Sequence, residues 1–312
     1  MAKAAATKRS TSTRTRRAKA PAQPTVEELY FRSDSAYFCL LLNRRIKAMR
    51  VVDFRAGALP AKRLYIQSVA KREGIEKVIT LVEKDEVSSW TRVGFVREGT
   101  IPGFYKRSDG HLCGCVIGDK TASVEVSDSG QKLAEKTINA AKKLDVDVPD
   151  PIKGLSVAEV DEREAFSARD AQWKKPTETT LASFDTFGRD AARAYYSTSH
   201  KKSKANYISA EYQDCFGHSL VEILRAPTNE SEILAIIGGL RMVNEWLKER
   251  GIVAAFAFAP SDHVELSAAF LAAGYRKTGL LADGTLYGGE RKDAILWTCK
   301  LANPTNDDEL EV

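Results

Sequence analysis

No run among the 312 residues reaches the roughly 20 apolar residues that a membrane helix needs, although hydrophobic residues make up 43% of the chain. A membrane-spanning role is therefore not expected, while the apolar content suffices for buried cores. The basic N-terminus is followed by no apolar segment, so no secretory signal is expected. Cysteines are few, five in all (39, 113, 115, 215 and 299), and scattered. This argues against a disulfide framework and for a reduced, cytoplasmic setting. Acid is absent from residues 1–25, which carry seven Lys and Arg; the remainder holds 40 basic and 42 acidic residues. The net charge of +5 is thus a property of a tail rather than of a folded surface. That tail is rich in Ala, Thr, Ser and Pro, cannot bury a core and is expected to be disordered. It offers weak phosphate contact to nucleic acid, or serves as a plain solubilising extension. The C-terminal residues 304–312 are acidic and expected to fray.

What is present is a repeated order of elements. Length suggests two domains. "AYFCLLL" (37–43) and "KAMRVVDF" (47–54) read as strands. "LPAKRLYIQSVAKREG" has helical spacing, with Leu59, Leu64, Ile66 and Val69 on one face and Pro60 tolerated in the first turn. "KVITLVE" reads as a strand, "DEVSSWTRVG" as a short helix with Asp85 as its expected N-cap, and "VGFVREGTIPGFYKRSD" with "HLCGCVIG" as closing strands. The second segment repeats the order: "ANYISAEYQD" and "SLVEILRAP" as strands, "ESEILAIIGGLRMVNEWLKERG" as a long helix, "VAAFAFAP" as a buried strand. There follow "SDHVELSAAFLAAG", a helix capped by Ser261 or Asp262, and a last strand pair. Lys71-Arg-Glu-Gly74-Ile75 matches Lys248-Glu-Arg-Gly251-Ile252, and Gly94-Phe95 matches Gly274-Tyr275. Two copies of one β-α-β-α-β-β unit follow. Their parallel crossovers and closing hairpins predict an α/β (α+β) protein of two mixed-sheet domains with flanking helices. The expected boundaries are 26–118 and 151–303, with a helical linker over 119–150. Gly238-Gly239 falls mid-helix, where a kink or close helix packing is expected.

This order, with "ERGI", strand, helix, "AGY" and closing strands, resembles the GCN5-related N-acetyltransferase (GNAT) fold, in a tandem arrangement. "GFVREGTIPGFYKRSD", "YISAEYQD" with "LVEIL", and "FLAAGYRKTGLLADGTLYGGERKDAILWTCKL" resemble the β-lysine N-acetyltransferase branch. The likeness covers roughly residues 50–118 and 205–301. It implies an acyl-CoA-dependent N-acetyltransferase acting on a primary amine of a small molecule, with acetyl-CoA as donor. The alternative is a catalytically degenerate pair that binds a ligand, a partner or nucleic acid. By the resemblance, the strand before the long helix offers backbone groups to the pantetheine arm and the helix N-terminus takes the diphosphate. Leu224, Arg225, Ala226, Thr228 and Phe270 are the implied cofactor-binding residues. The loop "RAPTNESEILAIIGG" departs from the Gly-rich, basic pattern and puts Glu230 and Glu232 in the first helical turn. One unit-charge clash with a diphosphate at about 4 Å costs on the order of 4 kcal/mol at an effective dielectric near 20.

Amine acetylation needs a base for the ammonium proton. Glu222 lies mid-strand on the face of Leu220 and Leu224. Apolar neighbours would raise its pKa and suit it to that work, or it is an edge-strand carboxylate facing solvent. Glu211 is the second catalytic candidate. Phe270 stands where many GNAT enzymes place a proton-donating Tyr. Tyr275, Tyr287 and Glu290 are candidate amine contacts, set against core packing and turn chemistry. His111, Cys113 and Cys115 alternate on a strand, but such neighbours do not converge tetrahedrally and no metal is expected. His263 is expected to be exposed.

Overall fold

Short apolar runs bounded by turn residues become strands, and among the described residues they join one sheet of 13 strands. A computed structural model describes residues 23–34, 37–53, 59–118, 124–144, 148–213 and 216–302. The expectations for most of the basic tail, for Cys215 and for the acidic end fall on residues outside these.

The first half runs β1 (Val26–Arg32), β2 (Tyr37–Asn43), β3 (Ala48–Asp53), α1 (Leu59–Arg72), β4 (Lys77–Val82), α2 (Val87–Arg92), β5 (Val96–Ile101) and β6 (Gly110–Val116). Helix α3 (Asp128–Lys143) follows. The second half runs β7 (Leu155–Val160), α4 (Glu162–Lys174), β8 (Ala192–His200), β9 (Asn206–Tyr212), β10 (His218–Ile223), α5 (Glu230–Glu249), β11 (Ala254–Pro260), α6 (Val264–Ala272), β12 (Arg276–Tyr287) and β13 (Glu290–Lys300).

The strand order is β1-β2-β3-β4-β6-β5-β12-β13-β11-β10-β9-β8-β7. Outward from the middle, each half shows a hairpin, then a strand antiparallel to it, then one parallel crossover, then antiparallel strands to the edge. The parallel pairs are β3 with β4 and β10 with β11, and each is bridged by a helix, α1 or α5, as a parallel connection requires. Strands β1, β7 and β8 are additions to the expected order. The sequences of β1 and β7, "VEELYFR" and "LSVAEV", mix exposed and half-buried positions because these are the sheet edges, while β8, "ARAYYSTSH", is largely buried but carries polar residues in place of an apolar run.

Several local expectations change. Helix α1 buries Lys62, Ile66, Val69 and Ala70, while Leu64 points outward at 69% exposure. Helix α2 starts from Glu86 without a side-chain cap, so Asp85 does not cap it. Helix α6 is capped by neither Ser261 nor Asp262. His263 is the cap: its Nδ1 accepts from the Leu266 amide, and the ring is mostly covered rather than exposed. Gly238 and Gly239 sit where α5 lies against the sheet; a Cβ at either would come within 2.4 Å of Leu155 or 2.6 Å of Ile208. They serve close packing.

Four apolar clusters fill the layers. One lies under α5 and α6, one between α1, α2 and the first-half strands, one spans the middle of the sheet, and a small one lies under α4. Cys113 and Cys115 belong to the first-half cluster, and His111 faces Thr100. No group of three metal-ligating side chains converges among the described residues.

The seam between the halves has little backbone pairing. Strands β5 and β12 share one registered pair, Gly99 with Gly279. Side chains finish the work: Glu98 Oε1 accepts from Lys77 Nζ at 2.6 Å and from the Ala282 amide at 3.1 Å, while Lys77 Nζ donates to the Ala282 carbonyl at 2.7 Å. The pair is almost fully buried. A Cβ at Gly114 would lie 1.8 Å from Glu98 Oε2, so Gly114→Ala is expected to break this clasp. Breaking a buried ion pair so that a charge is left without its partner costs roughly 3–5 kcal/mol, and urea unfolding of Gly114→Ala should show a loss of that order.

His218 provides a second contact across the halves. Its ring stacks on Phe104 with centroids 3.6 Å apart, and its Nδ1 lies 3.0 Å from the Phe104 carbonyl. Burial lowers its pKa from 6.5 to about 3. Below pH 6.5 the unfolded chain binds a proton that the folded chain refuses, so stability falls as pH drops from 6.5 towards 3. The slope for one proton is about 1.4 kcal/mol per pH unit. Urea unfolding at pH 7.5 and pH 5 should show a difference smaller by about 2 kcal/mol in His218→Phe than in the wild type.

Candidate functional site

The parallel pairing of β10 with β11 covers only three positions, His218 with Ala254 to Leu220 with Phe256. Beyond Leu220 the strands separate. On its other edge β10 stays paired with β9 as far as Ile223 with Ile208. The Leu224 amide then donates to the Tyr207 carbonyl. The next amide, that of Arg225, turns to the same edge and donates to Asn206 Oδ1 at 3.2 Å, while Asn206 Nδ2 donates to the Arg225 carbonyl at 2.8 Å. Two successive amides on one edge make a β-bulge. The bulge turns the Leu224 carbonyl and the Ala226 amide towards the cleft between β10 and β11.

The cleft holds a cavity of about 100 Å³ lined by Leu220 to Ile223 of β10, Phe258 of β11, Leu266 and Phe270 of α6, Thr285 of β12 and Arg291 of β13, with Ile46 closing it from the first half. One water needs a cavity of at least roughly 10–15 Å³, so this space holds several waters. Most of the lining is apolar, so its few polar groups decide what it can hold.

Glu222 is one of them. Its side chain keeps 19% exposure. Oε2 accepts from Arg193 Nη1 at 2.6 Å and lies 3.4 Å from Ser209 Oγ; no hydrogen bond reaches Oε1 among the described residues. Burial raises the Glu222 pKa, and Arg193 offsets part of that rise. Burial alone would lower the pKa of Arg193, but Glu222 and Glu211 outweigh it and hold the guanidinium charged. Glu211 is 4% exposed. It accepts from Arg193 Nη2 and from the amides of Phe187 and Gly188. Three of its roughly four acceptor positions are taken, two by backbone amides and one by Arg193, so its main work is to hold the 187–188 backbone. The cluster therefore brings Glu222 to the cavity and keeps Glu211 out of it.

The implied cofactor residues are occupied by the chain itself. The Leu224 carbonyl accepts from the Leu181 amide at 3.1 Å, and the Ala226 amide donates to the Thr179 carbonyl at 2.8 Å. Arg225 is buried, donates to the Ala205 carbonyl and lies 3.9 Å from Glu232. Thr228 is exposed, but its amide and hydroxyl both donate to Glu232 Oε2, at 2.8 and 2.9 Å. The Glu232 amide is taken by the cap Asn229 at 3.0 Å. These groups form a variant of a capping box, in which Glu232 reaches back one residue beyond the cap and takes the Thr228 amide for itself. Glu232 thus points into the loop and satisfies it from within. In the first half the corresponding helix turn carries the ion pair Lys62–Asp53, at 2.5 Å. A diphosphate does not fit the α5 turn as built, because the Thr228 and Glu232 amides are already taken.

The implied substrate contacts separate. Tyr275 is 1% exposed and donates to Asn244 Oδ1 at 2.9 Å, so it is core. Tyr287 packs its ring on His263 and under Lys292, and burial pushes its pKa to about 12. Glu290 is exposed opposite Tyr287 in the β12–β13 turn. Neither Tyr287 nor Glu290 lines the cavity. Phe270 does, while stacking on Trp297 at 5.6 Å. Sequence reasoning missed Arg193, Asn206, Arg291 and the stretch 177–188. The only signal for the last is the non-periodic "TETTLASFDTFG" between a helix and a strand.

No family model matches this chain, and no curated protein does. Among solved structures, a spermidine N-acetyltransferase from Vibrio cholerae in complex with CoA and spermine is similar at 8% identity and a TM-score of 0.38. That match covers 49% of this chain and 99% of the other. The same enzyme in a dodecameric intermediate state is similar at 9% identity and a TM-score of 0.38, over 50% and 99%. A protein of Sphaerobacter thermophilus DSM 20745, whose acetyltransferase activity is inferred rather than shown, is similar at 15% identity and a TM-score of 0.37, over 47% and 93%. Each match spans about half of this chain.

Proposed function

We propose that the chain is a tandem of GNAT-like halves whose C-terminal half binds a small primary amine against Glu222 without transferring an acyl group to it. The tandem reading is supported by the strand order, which repeats outward from the β5–β12 seam with the same parallel crossover in each half. The binding reading is carried by one observation. The groove along the end of β10, where an extended acyl-CoA arm would pair, is taken by Thr179–Leu181, while Glu222, whose Oε1 has no hydrogen bond among the described residues, lines the cavity beside it.

A ligand ammonium would donate to Oε1, and its charge would draw Glu222 towards the ionised form that burial disfavours. Arg193 already holds Oε2 and fixes the rotamer. The apolar lining takes the carbon chain of the ligand, and the first half contributes the wall at Ile46. By resemblance, β-lysine is the first candidate ligand, and the cavity volume limits the class to small amines.

A second reading, acyl-CoA-dependent N-acetyltransfer to a primary amine, is favoured by Glu222 itself. A partly buried carboxyl of raised pKa at an amine site suits a general base. That reading requires Glu232 to leave the Thr228 amide and residues 179–181 to leave β10.

Calorimetry on the full chain separates the two. The expected result is heat with n-butylamine, none with acetyl-CoA, and at least a tenfold loss of amine affinity in Glu222→Gln. Micromolar acetyl-CoA binding would replace the first reading by the second.

A further inference from the structure

The chain between α4 and β8 crosses the mouth of the cleft, and its contacts there are specific. Thr180 forms an antiparallel bridge with Arg225. With the two flanking backbone bonds to Leu224 and Ala226, this adds a short strand on the side of β10 that β11 has vacated. The Gly288 amide reaches the Thr180 carbonyl from the β12–β13 turn at 3.5 Å, so the added strand lies inside the cleft. Leu181, Ala182 and Ser183 continue from it as a wall of the Glu222 cavity.

The segment is tied down at both ends of this wall. Trp173 Nε1 donates to the Ala182 carbonyl at 2.7 Å. The Asp185 carboxylate accepts from Asn43, Arg45 and Arg169, which joins the segment to the first half and to α4. Glu211 takes the Phe187 and Gly188 amides. The Phe187 ring packs on Phe256 and Phe258, and Arg50 stacks over it at 4.5 Å. Phe184 and Asp190 take left-handed backbone at φ 51° and 52°, a strained state that persists only where the surroundings over-determine it.

We propose that Thr179–Ser183 is a built-in occupant of the donor groove: it replaces an extended ligand on β10 and, as a wall of the cavity, sets the length of amine that Glu222 can receive. The size role rests on the amine reading above; the occupant role does not. Glu211 and Asp185 are positioning residues for this strap.

Two measurements on the full chain test the proposal. In hydrogen exchange, the Leu181 and Ala226 amides of the wild type should exchange slowly. Asp185→Asn, which weakens the anchor, should speed both at least tenfold while leaving Phe256 in β11 unchanged. Fast exchange of Ala226 in the wild type, or no change of either amide in Asp185→Asn, overturns the occupant. In calorimetry with n-alkylamines from ethylamine to octylamine, Leu181→Ala should move the best-bound chain length up by about two carbons. An unchanged length preference overturns the size role. Should no amine bind the wild type while Leu181 and Ala226 stay slow, the amine reading and the size role fall together and the occupant stands.

Discussion

Asn206 replaces backbone with side chain at one place, and the cleft follows from it. By bonding both the amide and the carbonyl of Arg225, it lets β10 remain attached to β9 while its backbone turns over. Without that bulge, the Leu224 carbonyl and the Ala226 amide would both face β9, as groups two residues apart do in a regular strand. With it, a carbonyl and an amide point into an apolar cleft and must find partners, since an orphaned buried polar group costs about 1–3 kcal/mol. The strap answers that demand within the chain. The same economy operates one turn later, where Asn229 and Glu232 satisfy the start of α5 between them.

The middle of the molecule shows the same substitution of side chains for main chain. Two strands meet through one registered pair, and Lys77 with Glu98 supplies to Ala282 the acceptor and donor that a longer ladder would have supplied. A charged pair can play this part because it is closed off from water; its oxygen and nitrogen lose hydration but each gains a second partner on Ala282. The His218–Phe104 stack adds an apolar and directional contact on the same seam. The halves are thus held by a few specific contacts on one shared sheet, with Ile46 and Arg291 carrying the joint into the cavity wall.

Much of the fold was legible because period and punctuation agree in it. The runs "KVITLVE" and "VAAFAFAP" became β4 and β11, and the KREGI and KERGI words mark the ends of α1 and α5 before those strands. Glu222 was legible as a carboxylate between apolar neighbours. The edge strands were not, since their faces meet solvent and carry mixed residues. The cap from His263 and the uncapped start of α2 at Glu86 escaped because cap choice depends on which rotamer the tertiary contacts allow. The strap escaped for a deeper reason: its bonds to the end of β10 join groups more than 40 residues apart in sequence, on a strand whose own turn cannot be read from "SLVEILRAP". Glu232 was legible as an obstacle to phosphate, but its role as an internal partner of Thr228 required the geometry.

Joining the halves through β5 and β12 also has a colloidal consequence. Either half alone would end at one of these strands, with a row of unpaired amides and carbonyls open to any neighbouring chain. The fusion sets the two edges side by side at this seam and leaves β1 and β7 as the borders of the sheet among the described residues. Those borders are short and carry Glu27, Glu28 and Arg32 on one side and Glu159 on the other, charges that resist sheet growth by strand addition. A polypeptide cut between the halves would therefore regain two sticky margins, and self-association rather than unfolding would be the first sign of its damage.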